Sequence, residues 1–306
     1  ADKEFLQMIM PRMEQMMDYL LAQTNNLGFI YGRDGDWIFV DWSAMDKDGT
    51  VAAEQMFLLQ SLKSIMTAKK VLGQTATKYQ KLFESLKANT LRYFWDNEKG
   101  AFIDSYESGK RHVTRHANIL AVLFDIVDEE KQQAILHNVL LNDQITQLTT
   151  PYFKFFEQDA LCKLGQLSQV YQTIQDYWGA MIKLGATTIW EEYDPTVSGK
   201  EHYAMYGDPF GKSLCHAWGG SPVYLLGRYF MGLQPTAPGY ATFTIHPHLS
   251  MFNELQCSLP VKNGSVHYHV HDGKIDLRTD RSGGTVITDS GKIELQPQQT
   301  VTIANN

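Results

Sequence analysis

Residues 186–195 read Ala186-Thr187-Thr188-Ile189-Trp190-Glu191-Glu192-Tyr193-Asp194-Pro195. Three carboxylates, Glu191, Glu192 and Asp194, fall within four positions, between a tryptophan and a tyrosine or just past it. A carboxylate can take or give a proton during cleavage of an acetal, and a flat aromatic face matches the apolar face of a sugar ring. The combination points to a glycosidase-type site. An ordinary acidic loop after a helix has the same composition, so the rest of the chain must decide.

Two further loops repeat the chemistry. Gly32–Ser43 carries Asp34, Asp36 and Asp41 with Trp37 and Trp42. Ser213–Pro222 carries His216 and Trp218. Paired carboxylates can grip adjacent hydroxyls, and loops on a rigid scaffold are where sites usually lie. The alternative is that Trp37 and Trp42 are core residues and the acids cap helices.

Other chemistries find less support. No P-loop, GxSxG, HExxH or dinucleotide fingerprint occurs. A net charge of −7 disfavours nucleic acid, which requires a basic face. No apolar run approaches a membrane span. Cys162, Cys215 and Cys257 are far apart and follow neither metal nor disulfide spacing. His267, His269 and His271 share one face of a strand and could bind a transition metal. No carboxylate or cysteine pattern beside them supports this, so no metal and no cofactor is assigned. No signal-peptide pattern opens the chain, as expected of a mature protein or an excised fragment. A periplasmic or extracellular setting is preferred over a cytoplasmic one.

These loops need a scaffold. Leu6, Ile9, Met13, Met16, Met17 and Leu20 recur at helical spacing. Helices are also expected over about 51–72, 76–95, 115–125, 129–140, 154–163, 166–184 and 216–232. Near Gln234–Gly239, proline and glycine end this texture. Alternating segments follow at 241–245, 255–259, 264–270, 274–279, 285–288, 292–295 and 300–303. Asn263-Gly264 and Asp272-Gly273 are expected as hairpin turns. The pattern predicts a mainly α domain over 1–234 and a small antiparallel β-sandwich over 235–306.

Several segments, taken in order, resemble the α-L-rhamnosidases of glycoside hydrolase family 78. They are Asp41-Trp42, Thr114–Ala121, Thr149–Phe153, Gly185–Glu191, His216-Ala217-Trp218, Gly232-Leu233 and Thr244–Pro247. The resemblance implies an (α/α)6 toroid, complete or lacking its first helices, ahead of the β-domain. It implies inverting hydrolysis of terminal α-L-rhamnosides, with two carboxyls roughly 6.5–9.5 Å apart. Glu191 matches the general base, with Glu192 as the neighbouring alternative. Asp41, Trp42, Trp190 and His216 match sugar contacts, joined by Trp218, Asp36 and Trp37. The family's acid motif, Asp-Glu-Arg-x-Gly-Trp-x-Gly-Asp, is absent. Either the chain is the C-terminal part of a longer enzyme, or another acid such as Asp34 or Asp36 serves. The implied partner is a rhamnose-containing glycan or glycoside, together with missing N-terminal domains or further copies of the chain. A carbohydrate-binding pseudoenzyme and another helical-toroid glycosidase are the alternatives.

Overall fold

The computed structural model describes residues 2–32 and 35–306, so the alternative acid Asp34 lies outside the described residues. The chain divides into two compact units. One comprises Asp2–Gln166 with Gln175–Gly219, the other Leu167–Ile174 with Gly220–Asn306. This division is not the change of texture near residue 234, which marks where helices give way to strands.

The first unit is helical. It holds α1 (Lys3–Leu21), α2 (Ala52–Val71), α3 (Thr77–Phe94), α4 (Arg115–Leu123), α5 (Glu129–Ile135) and α6 (Pro151–Lys163). Helix α7 (Leu167–Thr173) lies in the second unit, whereas α8 (Gly179–Lys183) belongs here. Helix α4 is buried from Arg115 to Val122 and packs on α2 and α6. A helix buried on all sides marks the centre of a core. Helix α6 starts where Thr150 caps it, accepting from the Phe153 amide, with Pro151 in its first turn. Proline fits there because that amide has no partner within the helix.

Helix α1 departs from its expected face. Met10 and Met17 are its buried residues, whereas Met16 is exposed along with Phe5, Met8 and Tyr19. The helix thus carries apolar residues on two faces, which a single amphipathic stripe does not describe. A short ladder, β1 (Trp95–Asp96) with β2 (Ala101–Phe102), was not expected from the pattern. It is too short to show alternation.

The helix expected over 216–232 is broken, and only its part from Gly220 lies in the second unit. A 3-10 turn at Ala217–Gly219 precedes α9 (Pro222–Leu225), which ends in a π turn at Leu226–Phe230. Gly219-Gly220-Ser221-Pro222 accounts for the break. The strands are β3 (Leu233–Pro235), β4 (Phe243–Ile245), β5 (Leu255–Val261), β6 (Gly264–His271), β7 (Lys274–Thr279), β8 (Gly284–Thr288), β9 (Gly291–Leu295) and β10 (Thr300–Ala304). They form two four-stranded sheets, ordered β10-β7-β6-β5 and β3-β4-β8-β9.

The sheets are not wholly antiparallel: β4 and β8 pair in parallel. The intervening β5–β7 meander supplies the long connection that a parallel pair needs. Asp272 and Gly273 both take positive φ, 48° and 68°, as a tight two-residue hairpin requires. The first hairpin turns one residue earlier than expected, at Lys262-Asn263, and Gly264 already pairs with Val261. Gly232 is forced by a close approach: a Cβ there would fall 1.8 Å from the His246 carbonyl oxygen.

Candidate active site

Glu191 is buried, at 4% exposure, in an extended segment after α8. Its backbone is clamped from both sides. The Glu191 amide donates to the Ser213 carbonyl at 2.9 Å, and the His216 amide donates to Ile189 at 2.8 Å. The Trp218 indole donates to the Glu191 carbonyl at 3.0 Å. Trp218 is itself stacked on Tyr152 at the start of α6, with ring centroids 5.2 Å apart.

The Glu191 carboxylate is met by neutral donors. Trp42 Nε1 donates to Oε1 at 3.3 Å, and the Tyr206 hydroxyl donates to the same oxygen. The Ser213 amide donates to Oε2 at 3.2 Å. His216 Nδ1 lies 4.0 Å from Oε2. The Tyr206 hydroxyl is pushed up to about 12 by loss of solvent around it and by its bond to this carboxylate. Trp42 joins a cluster of rings, 5.5 Å from Tyr206, 4.8 Å from Phe39 and 6.0 Å from Trp37.

Glu192, one peptide away, is engaged elsewhere. It accepts from Thr149 Oγ1 at 2.9 Å and pairs with the buried Lys212 at 3.2 Å. The two candidate bases therefore occupy distinct environments, one ringed by aromatics and the other held by a cation.

A sequence profile described as the bacterial alpha-L-rhamnosidase six-hairpin glycosidase domain matches residues 1–230. The chain belongs to this family. Its fold is similar to that of the family 78 rhamnosidase of Bacillus sp. GL1, with TM-score 0.79 and 22% identity over 93% of this chain and 31% of that one. It is also similar to a Klebsiella oxytoca rhamnosidase with rhamnose bound, with TM-score 0.62 and 26% identity over 72% and 42% of the two chains. A third similar structure is a Streptomyces avermitilis alpha-L-rhamnosidase complexed with L-rhamnose, with TM-score 0.76 and 16% identity over 99% and 31%. The chain spans less than half the length of each of these proteins. None of the curated proteins matches the sequence significantly.

Within this rhamnosidase-family chain, the loops expected to converge do so around Glu191. Trp42, His216 and Trp218 are all partly exposed beside it. Four expected sugar contacts stand differently. Trp190 is buried, at 3% exposure, against Tyr203 and His202. It has no open face on which a ring could stack. Asp41 is also buried, with Thr150 Oγ1 at 2.6 Å from Oδ1 and His116 Nε2 at 3.1 Å from Oδ2. It ties the Trp42 loop to α4 and α6. Trp37 is 74% exposed, so it is not core, and Asp36 is exposed on the same loop.

Tyr206 escaped the sequence reading. It lies on an irregular excursion at positive φ (56°), next to Gly207, and no periodicity flags it. The buried Arg115 was visible only as part of the family segment. Its guanidinium donates to Glu157 and to the carbonyls of Leu140, Asn142, Ile145 and Thr146.

Proposed function

We propose that this chain is the C-terminal part of an inverting α-L-rhamnosidase in which Glu191 is the general base. The observation that carries the reading is the setting of Glu191. Its carboxylate is buried, oriented by Trp42, Tyr206 and the Ser213 amide, and paired with no lysine or arginine among the described residues. A carboxylate so oriented can draw a proton from water as that water attacks the anomeric carbon. Trp42 and His216 are placed to meet the sugar, and Trp218 and Asp41 position the base and its loop. The leaving oxygen receives its proton from an acid supplied by the missing motif, outside these residues.

The helical unit is read as part of an (α/α)6 toroid and the two sheets as a β-sandwich. Phe5, Met8, Met16 and Tyr19 on the exposed face of α1 support a helical neighbour, from further domains or from another copy. A clean monomer in sedimentation would count against that part of the reading.

The test is release of the aryl alcohol from an aryl α-L-rhamnoside, with Glu191→Gln alongside and L-rhamnose binding measured in parallel. Turnover lost in the variant supports Glu191 as base and moves the search for the acid into this chain. Saturable rhamnose binding by both proteins, without turnover by either, supports a sugar site whose acid lies elsewhere. Neither binding nor turnover overturns the reading for this chain.

A further inference from the structure

The sequence shows no metal-ligand spacing between the histidines and a carboxylate, although Asp272 follows His271 and lies 3.4 Å from its Nδ1; the sheet register supplies a further one. Strand β6 buries Val266, Tyr268 and Val270, which turns His267, His269 and His271 to its other face. The β6–β7 register sets Asp276 directly opposite His269. Directly opposed residues on neighbouring antiparallel strands bring their side chains together. The two-residue turn at Asp272-Gly273 holds that register.

We propose that His269, His271 and Asp276 form a binding site for a divalent transition-metal ion on this open face of the β10-β7-β6-β5 sheet. One ligand atom from each residue lies within 4.8 Å of the others. His271 Nε2 is already 3.0 Å from Asp276 Oδ2. The His269 and His271 rings are 4.4 Å apart and inclined by 31°. A tetrahedral ion with bonds of about 2.1 Å needs donors roughly 3.4 Å apart. A side-chain rotation of the exposed His269 closes the difference.

Two imidazoles and one carboxylate suit zinc, cobalt or nickel, with water completing the shell on the exposed side. Asp276 is oriented for the task. Thr302, opposite it on β10, donates to Oδ1 at 2.6 Å and leaves Oδ2 toward His271. Such outer partners hold metal ligands in place. His267 belongs to a separate arrangement, bonded to Ser258 at 2.7 Å and to Asp280 at 2.9 Å. An ion at the proposed site would clamp β6 to β7 just before the hairpin.

The experiment is a calorimetric titration of the tag-free chain with Zn2+, with Tm measured at each ion concentration. Saturable 1:1 binding is expected, with a rise in Tm. His269→Ala, His271→Ala and Asp276→Asn should each weaken binding at least about tenfold, by analogy with the cost of disturbing metal shells. His267→Ala and Cys215→Ser should leave it unchanged. The far-ultraviolet circular dichroism of each variant reports whether the sheet is intact. Binding that survives the His269→Ala/His271→Ala double variant, or that vanishes with Cys215→Ser, overturns the site. So does the absence of saturable binding to the folded wild-type chain.

Discussion

Glu191 and Glu157 are almost equally buried, at 4% and 3% exposure, and are held in opposite ways. Glu157 sits between two cations. Arg115 Nη1 and Lys154 Nζ each lie 2.9 Å from one of its oxygens. Burial alone would raise its carboxyl, and the two cations outweigh burial and hold it below the usual carboxylate range. Among the described residues, Glu191 has an indole, a phenol and an amide instead. Hydrogen bonds from neutral groups orient a carboxylate without binding its charge as cations do. The contrast teaches that burial alone does not separate the proposed base from a structural acid. The charge of the partners is where the two differ.

Exchanging each glutamate should break the comparison in opposite directions. In the complete enzyme, Glu191→Gln should cost about 10²–10⁴ in rate, the usual range for a positioned acid or base, with little loss of Tm. Glu157→Gln should cost about 3–5 kcal/mol of stability by leaving two buried cations under-paired. Denaturant melts measure it, and sugar binding by the folded fraction should persist. The sign of its pH dependence follows from the lowered carboxyl. Its contribution is present above the ordinary carboxylate value and is lost as pH falls through the lowered one.

Glu54 offers a third setting. Oε2 is buried and has no hydrogen-bond partner among the described residues. Burial, opposed by Lys47 and aided by Asp36, raises the group to about 7. The folded chain then keeps a proton that the unfolded chain has released. Stability should fall as pH rises from the ordinary carboxylate value through 7. Glu54→Gln should remove that slope, gaining about 1–3 kcal/mol at pH 8 and almost nothing at pH 4. Equal melting shifts at both pH values would reject the assignment.

Tyr206→Phe is the finest probe. It removes one donor, a change of about 0.5–1.5 kcal/mol. The donor orients the Glu191 carboxylate, so its loss should weaken sugar binding or turnover by about two- to tenfold while Tm stays nearly unchanged. Unchanged binding and turnover would place Tyr206 outside the machinery.

Much of this was legible in the chain. Helical spacing located most of the helices, and the seven alternating segments all became strands, because both periods report which side is buried. The clustering of Trp42, Glu191, His216 and Trp218 was readable from residue type. What escaped has physical causes. Trp190 looks like a stacking platform by type, but only packing reveals that Tyr203 and His202 cover it. Asp41 looks like a sugar ligand, but Thr150 and His116, distant in sequence, occupy its oxygens. The parallel β4–β8 pair and Asp276 beside the histidines depend on register, which alternation does not encode.

The guanidinium of Arg115 has a consequence for what this chain can tolerate. Surface connections usually accept inserted residues. The segment between Leu140 and Thr146 presents four carbonyls to one rigid, planar group in the core. Four residues beyond it, Thr150 caps α6 and grips Asp41. One added residue would put those carbonyls out of step with the fixed guanidinium donors they meet. The length of this connection is therefore a constraint in its own right, independent of which side chains it carries.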